Sequence, residues 1–377
     1  MPYKVALVAN STWNFFNFRL NIIRSLKERG YEVVLISPPD QYLAHLLEVV
    51  EVKHIPLNSL DRKSVNPFGE MALYREFKRI YRNEAPDLIL HYTIKPNIYG
   101  NMAAKKLGIH SICVITGLGY VFLHDNIYNS VAKRLYRKSL HKADLVVFEN
   151  AEDKDLFVQL ALAPAEKTSV VNGCGINLEY FKPISYPEKS SAKTVFTFIA
   201  RLILDKGIME FIEAAKSVRS RYPYVEFWVA GEIDEGNPTS ISHETLYEWV
   251  ESGVIKYFGH VRDVRPIIAK SDCIVLPSYR EAMARTLTEA LAMEKPVISC
   301  DTGGCRTIVD DGVNGYLVPV KDVDALVHAF ETFKLLPEIS REKMGKSGRE
   351  KAISEFDEEI VTSQFIKLID GLNAHAG

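Results

Sequence analysis

Residues 194–207 read TVFTFIARLILDKG: a β-branched and aromatic run, then Ala200-Arg201, then a short turn closing on Lys206-Gly207. Such a run suits a strand covered on both faces of a parallel sheet, and the Lys-Gly pair opens a helical pattern behind it. The same step recurs at residues 273–289, CIVLPSYREAMARTLTE, where a strand reading leads through a polar loop to a helix predicted over Arg285–Met293. Working outward, strands are expected in the second half at Thr194–Ala200, Glu226–Ala230, Val254–Phe258, Cys273–Pro277, Pro296–Cys300 and Tyr316–Val320. The first half carries them at Tyr3–Asn10, Tyr31–Ser37, Val52–Leu57, Asp87–Tyr92, Ser111–Thr116, Asp144–Glu149 and Thr168–Val171. Helical patterns such as Phe18–Arg29, closed by Gly30, and Phe68–Asn83 lie between them. This alternation predicts two doubly wound, Rossmann-like α/β domains facing a cleft.

The aperiodic stretch Gly173–Ser191 marks the joint. The expected division is 1–175 for the first domain, 176–192 for a hinge and 193–357 for the second domain, with a terminal helix in 358–377 able to pack back on the first. A length of 377 residues accommodates two cores. Forty-six Lys and Arg against 48 Asp and Glu, net −2, argue against a nucleic-acid coat. No apolar run reaches the roughly 18 residues of a membrane span. Five cysteines without a CxxC pair favour neither a disulfide framework nor a zinc site, and fit a cytoplasmic location.

Ligands of doubly wound folds bind where strands end and helices begin. Arg201 and Lys206 stand at such a turn and can converge on one anion, a fork beside a point charge, although either alone is most often a solvated cation. Glu281 falls in the loop after a strand and Glu289 two helical turns later. Ionised carboxylates accept hydroxyls and suit a polyol, while each alone is most often a helix-start or surface residue.

Taken together, RxxxxKG followed by Glu-x7-Glu resembles the retaining glycosyltransferases of family 4, which have the GT-B fold. FWVAGE, the run from Val254 to Val309, and the hinge-like GINLEYFKP add to the resemblance, which is strongest over residues 193–320. The resemblance implies that Arg201 and Lys206 bind a donor diphosphate and stabilise the leaving group. It places Glu281 on sugar hydroxyls and Glu289 on ribose, with Phe258, Gly259, His260 and Val261 lining the nucleobase pocket. The amides of Ala282, Met283, Ala284, Thr286 and Leu287 would face phosphate and sugar. It implies a UDP-sugar donor, no metal, no cofactor and no protein nucleophile. The chain departs from the family where Glu281-Ala282-Met283-Ala284 replaces Glu-Gly-aromatic-Pro, and where Glu294 replaces Gly. The methyl of Ala282 restricts φ near the expected sugar and bears on sugar choice more than on fold.

In the first half, Asn10 and Ser11 end the first strand and are candidates for donor or acceptor contact. Phe15, Phe16 and Phe18 read as core before rim. His91 matches the place of a histidine that touches donor sugar in some relatives, and reads equally as a hydrogen-bonded structural residue. Thr116-Gly117-Leu118-Gly119 allows close backbone approach to a ligand or a plain tight turn. Residues 126–143 hold Lys133, Arg134, Arg137, Lys138 and Lys142 with no acidic residue between Asn126 and Ala143. With Leu135, Tyr136 and Leu140 they form either a basic amphipathic helix on anionic lipid or an ordinary solvated helix. FFNFRL, HYTIKPNIYG and TGLG resemble bacterial members that add N-acetylhexosamines to polyprenyl-diphosphate-linked glycans in capsule, O-antigen or N-glycan assembly. The expected acceptor is therefore a glycan or a lipid-linked glycan, met at the inner face of the plasma membrane, with no nucleic-acid partner. A dinucleotide oxidoreductase lacks its G-x-G-x-x-G at either first turn, and Gly345-Lys346-Ser347 lacks the partner glycine of a P-loop. A non-catalytic nucleotide-sugar or glycan-binding protein of the same fold stays open.

Overall fold

The computed structural model describes residues 2–61, 66–117, 127–184 and 193–374, and only the backbone of 127–129. The chain divides into two compact units, Met1–Gly175 with Glu358–Gly377, and Ile176–Asp357. Leu118, Gly119 and residues 185–192 of the expected hinge lie outside the described residues.

The first unit is built on β1 (Lys4–Val8), β2 (Glu32–Ser37), β3 (Lys53–Pro56), β4 (Leu88–Tyr92), β5 (His110–Ile115), β6 (Leu145–Phe148) and β7 (Thr168–Val170). Its sheet runs β3-β2-β1-β4-β5-β6-β7, every pair parallel. The period-2 geometry of a strand divides β1 between two cores. Val5 and Leu7 pack with Phe15, Ile23 and Leu26 on one face, and Ala6 and Val8 with Leu73, Phe77 and Ile80 on the other. That double covering is why the strand reads as almost wholly apolar. The terminal helix Glu358–Ala374 belongs to the first of these layers through Val361, Phe365, Ile366 and Ile369. Asn21 donates to Glu358, and the Tyr31 hydroxyl donates to Asp370 at 2.5 Å.

One helix departs from its expected span. The helix expected over Phe18–Arg29 runs Leu20–Glu28, and Phe18 instead ends a preceding helix, Thr12–Phe18, with Arg19 between the two at φ −128°. Arg19 is 4% exposed, donates to Glu149 at 3.2 Å and stacks its guanidinium 4.4 Å from the Tyr92 ring. A buried charge needs a partner, and this long-range pairing outweighs local helical periodicity.

The helix Ile127–Leu140 corrects a second expectation. Tyr136 and Leu140 are buried in a core with Phe148 and Phe157, so they supply no apolar edge for lipid. Arg137 donates to the carbonyls of Leu160 and Ala161 at 2.8 and 3.0 Å. Arg134, Lys138 and Lys142 are exposed. Among the described residues no helix is long and apolar enough to cross a membrane.

The second unit carries β8 (Thr194–Ile199), β9 (Val225–Ala230), β10 (Lys256–Tyr257), β11 (Cys273–Leu276), β12 (Val297–Cys300) and β13 (Gly315–Val318). Its order is β10-β9-β8-β11-β12-β13, again with every pair parallel. Phe196 anchors the core, its ring 4.5 Å from Phe330 and 5.6 Å from Phe227. The chain leaves β8 toward β9 and returns to its other side as β11. The order therefore reverses at β8, and the loops following β9, β8 and β11 emerge side by side at the carboxyl edge.

Candidate functional site

The residues singled out in the second unit occupy that edge. Arg201 follows β8, half exposed, and its guanidinium lies 2.5 Å from Asp234 in the loop after β9. A single 3₁₀ turn, Leu204–Lys206, ends at Gly207 with φ +76°, and the helix Ile208–Arg221 begins there. A Cβ on Gly207 would sit 2.0 Å from the Pro277 carbonyl oxygen, so only glycine lets this turn lie against the end of β11. The approach brings Lys206 Nζ to 2.5 Å from Glu281 Oε1. Their side chains are 21% and 11% exposed, enough shielding from water for the pair to be electrostatically significant.

The Glu281 loop is braced from three sides. The Tyr279 amide donates to Asp205, and its hydroxyl donates to Glu210 at 2.8 Å. Lys321 lies 4.7 Å over the Tyr279 ring, and burial with Glu210 pushes the Tyr279 phenol well up. Gly304 packs beneath, where a Cβ would meet the carbonyl oxygens of Glu281 and Ala282 at 2.3 and 2.4 Å. Tyr279, Glu210, Lys321 and Gly304 were missed in the sequence. The only signal for them was the pair of glycines in DTGGC and the aromatic before Arg280-Glu281.

Ala282 and Ala284 are buried, and neither has a positive φ, so the alanines that replace Gly and Pro sit without backbone strain. Met283 is half-buried. The helix begins at Arg285, as expected, and ends at Ala292. The Thr286 hydroxyl donates to the Ile199 carbonyl at 3.1 Å, which ties this helix to the end of β8. Leu287 is a correction: its amide already donates to Ala284 at 2.9 Å and its side chain is in the core. It has no N–H left for a phosphate. Glu289 is 9% exposed and accepts from Arg285 Nε at 2.9 Å. Burial pushes its carboxyl up, against the opposing pull of Arg285.

Phe258 packs on Trp228 with ring centroids 5.1 Å apart, and the Lys256 ammonium lies over both rings. Gly259 has φ +68° with open space beside it, and its carbonyl accepts from the Gly231 amide at 2.8 Å. Val261 is half-buried, and exposed His260 approaches Glu232 at 3.6 Å. Gly231, in the VAGE run, joins this loop to Arg201. At φ +148° a Cβ there would lie 1.8 Å from the Ala200 carbonyl oxygen.

In the first unit, Asn10 and Ser11 are half-buried at the carboxyl end of β1. Ser11 caps the helix Thr12–Phe18, its hydroxyl accepting from the Asn14 amide at 3.3 Å. Phe15 is core, whereas Phe16 and Phe18 are partly exposed. His91, the catalytic candidate from the first unit, lies near the end of β4. It is 0% exposed, 3.0 Å from the Tyr81 hydroxyl, and closed in by Gly100, where a Cβ would touch its ring at 2.7 Å. Burial lowers its pKa to about 3, so the ring is neutral near pH 7. Among the described residues, no group of three or more His, Cys, Asp or Glu is gathered as a metal site.

The family described as Glycosyl transferases group 1 matches residues 193–333, and Glycosyl transferase 4-like matches residues 4–150; together they span more than half of the chain. The chain is similar to the N,N'-diacetylbacillosaminyl-diphospho-undecaprenol alpha-1,3-N-acetylgalactosaminyltransferase of Campylobacter jejuni, at 27% identity across 97% of this chain and 98% of the relative. It is similar in structure to sucrose-phosphate synthase from Thermosynechococcus elongatus, with TM-score 0.82 and 18% identity over 99% of this chain and 100% of that one. Anabaena Alr3699/HepE in complex with UDP and glucose gives TM-score 0.80 and 19% identity over 98% and 99% of the two chains. With one half matching the 4-like type and the other the group 1 type, the chain belongs to the family 4 glycosyltransferases of GT-B fold.

Proposed function

We propose that this glycosyltransferase moves a sugar, an N-acetylhexosamine, from a UDP-sugar to a polyprenyl-diphosphate-linked glycan, with retention at the anomeric carbon, in assembly of a bacterial surface polysaccharide or glycoprotein. The observation that carries the reading is the Lys206–Glu281 contact at the carboxyl ends of β8 and β11, a cation for phosphate beside a carboxylate for sugar hydroxyls. The acceptor and sugar class are drawn from the Campylobacter relative's name, and the donor from the UDP and glucose of the Anabaena structure.

In this reading Arg201 and Lys206 hold the donor diphosphate, and Glu281 leaves Lys206 to accept sugar hydroxyls. As the bond from the anomeric carbon to the diphosphate breaks, the negative charge growing on the leaving oxygen is met by both cations. The acceptor hydroxyl attacks from the same face, and its proton passes to the leaving phosphate. The products are the new glycoside and UDP. Glu289, kept oriented by Arg285, takes the ribose hydroxyls, and the 258–261 loop takes the base. No metal or other cofactor is required, because the two cations meet the charge. The enzyme works at the cytoplasmic face of the membrane, held by the exposed charges of Arg134, Lys138 and Lys142 and by no inserted apolar face. A panel of UDP-sugars, scored for UDP release with and without a polyprenyl-diphosphate-linked glycan, tests it. Acceptor-dependent release is expected with a UDP-N-acetylhexosamine, and no release with any donor would overturn the reading.

A further inference from the structure

We infer that Asp234 sets how tightly the site holds a nucleoside diphosphate, by competing with its phosphates for Arg201. The inference rests on the donor-site reading above. Asp234 Oδ2 lies 2.5 Å from Arg201 Nη1 and also accepts from Asn237 Nδ2 at 3.0 Å. The loop that presents it is not free to withdraw. Backbone bonds run from Leu202 to Glu232, from Leu204 to Thr239 and from Ile241 to Leu202, and the Asp234 amide donates to the Ser240 hydroxyl at 3.1 Å. Gly231 holds the start of the same loop against Ala200, where no side chain fits. The carboxylate is therefore a built-in neighbour of Arg201.

Arg201 is 51% exposed, so its fork has room to turn toward an incoming anion while Asp234 stays. A diphosphate carries the same sign of charge as Asp234. Each phosphate contact with Arg201 is made against the Arg201–Asp234 pair, and like charges side by side repel. Retained after transfer, that repulsion favours departure of the product nucleotide, a step that limits turnover in many enzymes. Asp234 thus acts through Arg201, without touching the reacting atoms.

Calorimetry with UDP on the parent, Asp234→Asn, Arg201→Ala and the double variant tests this. The amide preserves shape and a hydrogen bond while removing the charge. Exposed pairs of this kind carry up to about 1 kcal/mol, so Asp234→Asn is expected to bind UDP about two- to fivefold more tightly. The gain should vanish in the Arg201→Ala background, and product inhibition by UDP should tighten in step. Unchanged or weaker UDP binding by Asp234→Asn, or the same gain without Arg201, overturns the inference while leaving the donor site intact. No UDP binding by the parent removes the donor-site reading and the inference with it.

Discussion

Lys206 and Glu281 stand 75 positions apart in the chain, yet Nζ of the first lies 2.5 Å from Oε1 of the second. The contact follows from topology: β8 pairs with β11 in register, Phe196 opposite Cys273 and Phe198 opposite Val275, so the loops that leave them are neighbours. Neither loop could approach without Gly207 beneath one and Gly304 beneath the other.

Lys206→Ala is expected to lower kcat by about 10²–10³, the usual loss when one group aimed at developing charge is removed. Thermal unfolding should shift by no more than a few degrees, since the pair is still partly in water. Steady-state transfer assays beside melting curves check this, and a variant that turns over like the parent would remove Lys206 from the diphosphate.

Glu281→Gln should impair transfer and leave UDP affinity near that of the parent, because its assigned partner is sugar. Glu289→Ala should instead weaken UDP by about tenfold or more, the range for a lost hydrogen bond to a charged group. Calorimetry with the effects reversed would show that the donor lies the other way round.

His91 makes a pH prediction with a definite sign. Its folded pKa is depressed to about 3 while the unfolded chain titrates near the ordinary value of 6.5. Between those values the unfolded state binds a proton that the buried ring refuses, so stability falls as pH drops through the window, by about 1.4 kcal/mol per pH unit from this residue at its steepest. Unfolding midpoints of His91→Gln, measured from pH 7 to pH 4, should fall less steeply than those of the parent. UDP binding at neutral pH should be unchanged.

Glu294 adopts φ +57° at the end of the helix Arg285–Ala292, a left-handed conformation that a side chain disfavours. Glu294→Gly should stabilise the fold by about 1 kcal/mol without altering transfer. A melting temperature equal to or below that of the parent would contradict it.

Arg134, Lys138 and Lys142 changed together to Gln should weaken binding to anionic vesicles, each cation contributing about 1 kcal/mol at low salt. Arg137 is left in place because it holds two carbonyls of its own unit. Sedimentation with phosphatidylserine vesicles gives the readout, and equal binding by parent and variant would leave the helix a solvated face.

The strands were legible in the sequence because parallel strands covered on both faces are almost wholly apolar, a requirement satisfied locally from Val5 to Val8 and, apart from Thr197, whose hydroxyl bonds that of Ser271, from Val195 to Ile199. The turns after them were legible too, since Arg201, Lys206-Gly207 and Glu281 mark where strand chemistry stops. Tertiary structure decided the rest. The sequence could not place Asp234 opposite Arg201 or Tyr279 against Glu210, because each pairing is set by which strands lie side by side. It offered His91 as an equal candidate for sugar contact and for structure; its enclosure by Tyr81 and Gly100 came only with the fold, because burial is a property of neighbours distant in the chain. It began a helix at Phe18, two residues early, where Arg19, buried and paired with Glu149 130 positions away, separates Leu20–Glu28 from the helix before it. Local pattern sets what each segment can become, and long-range packing selects which charged side chains are left to meet a ligand.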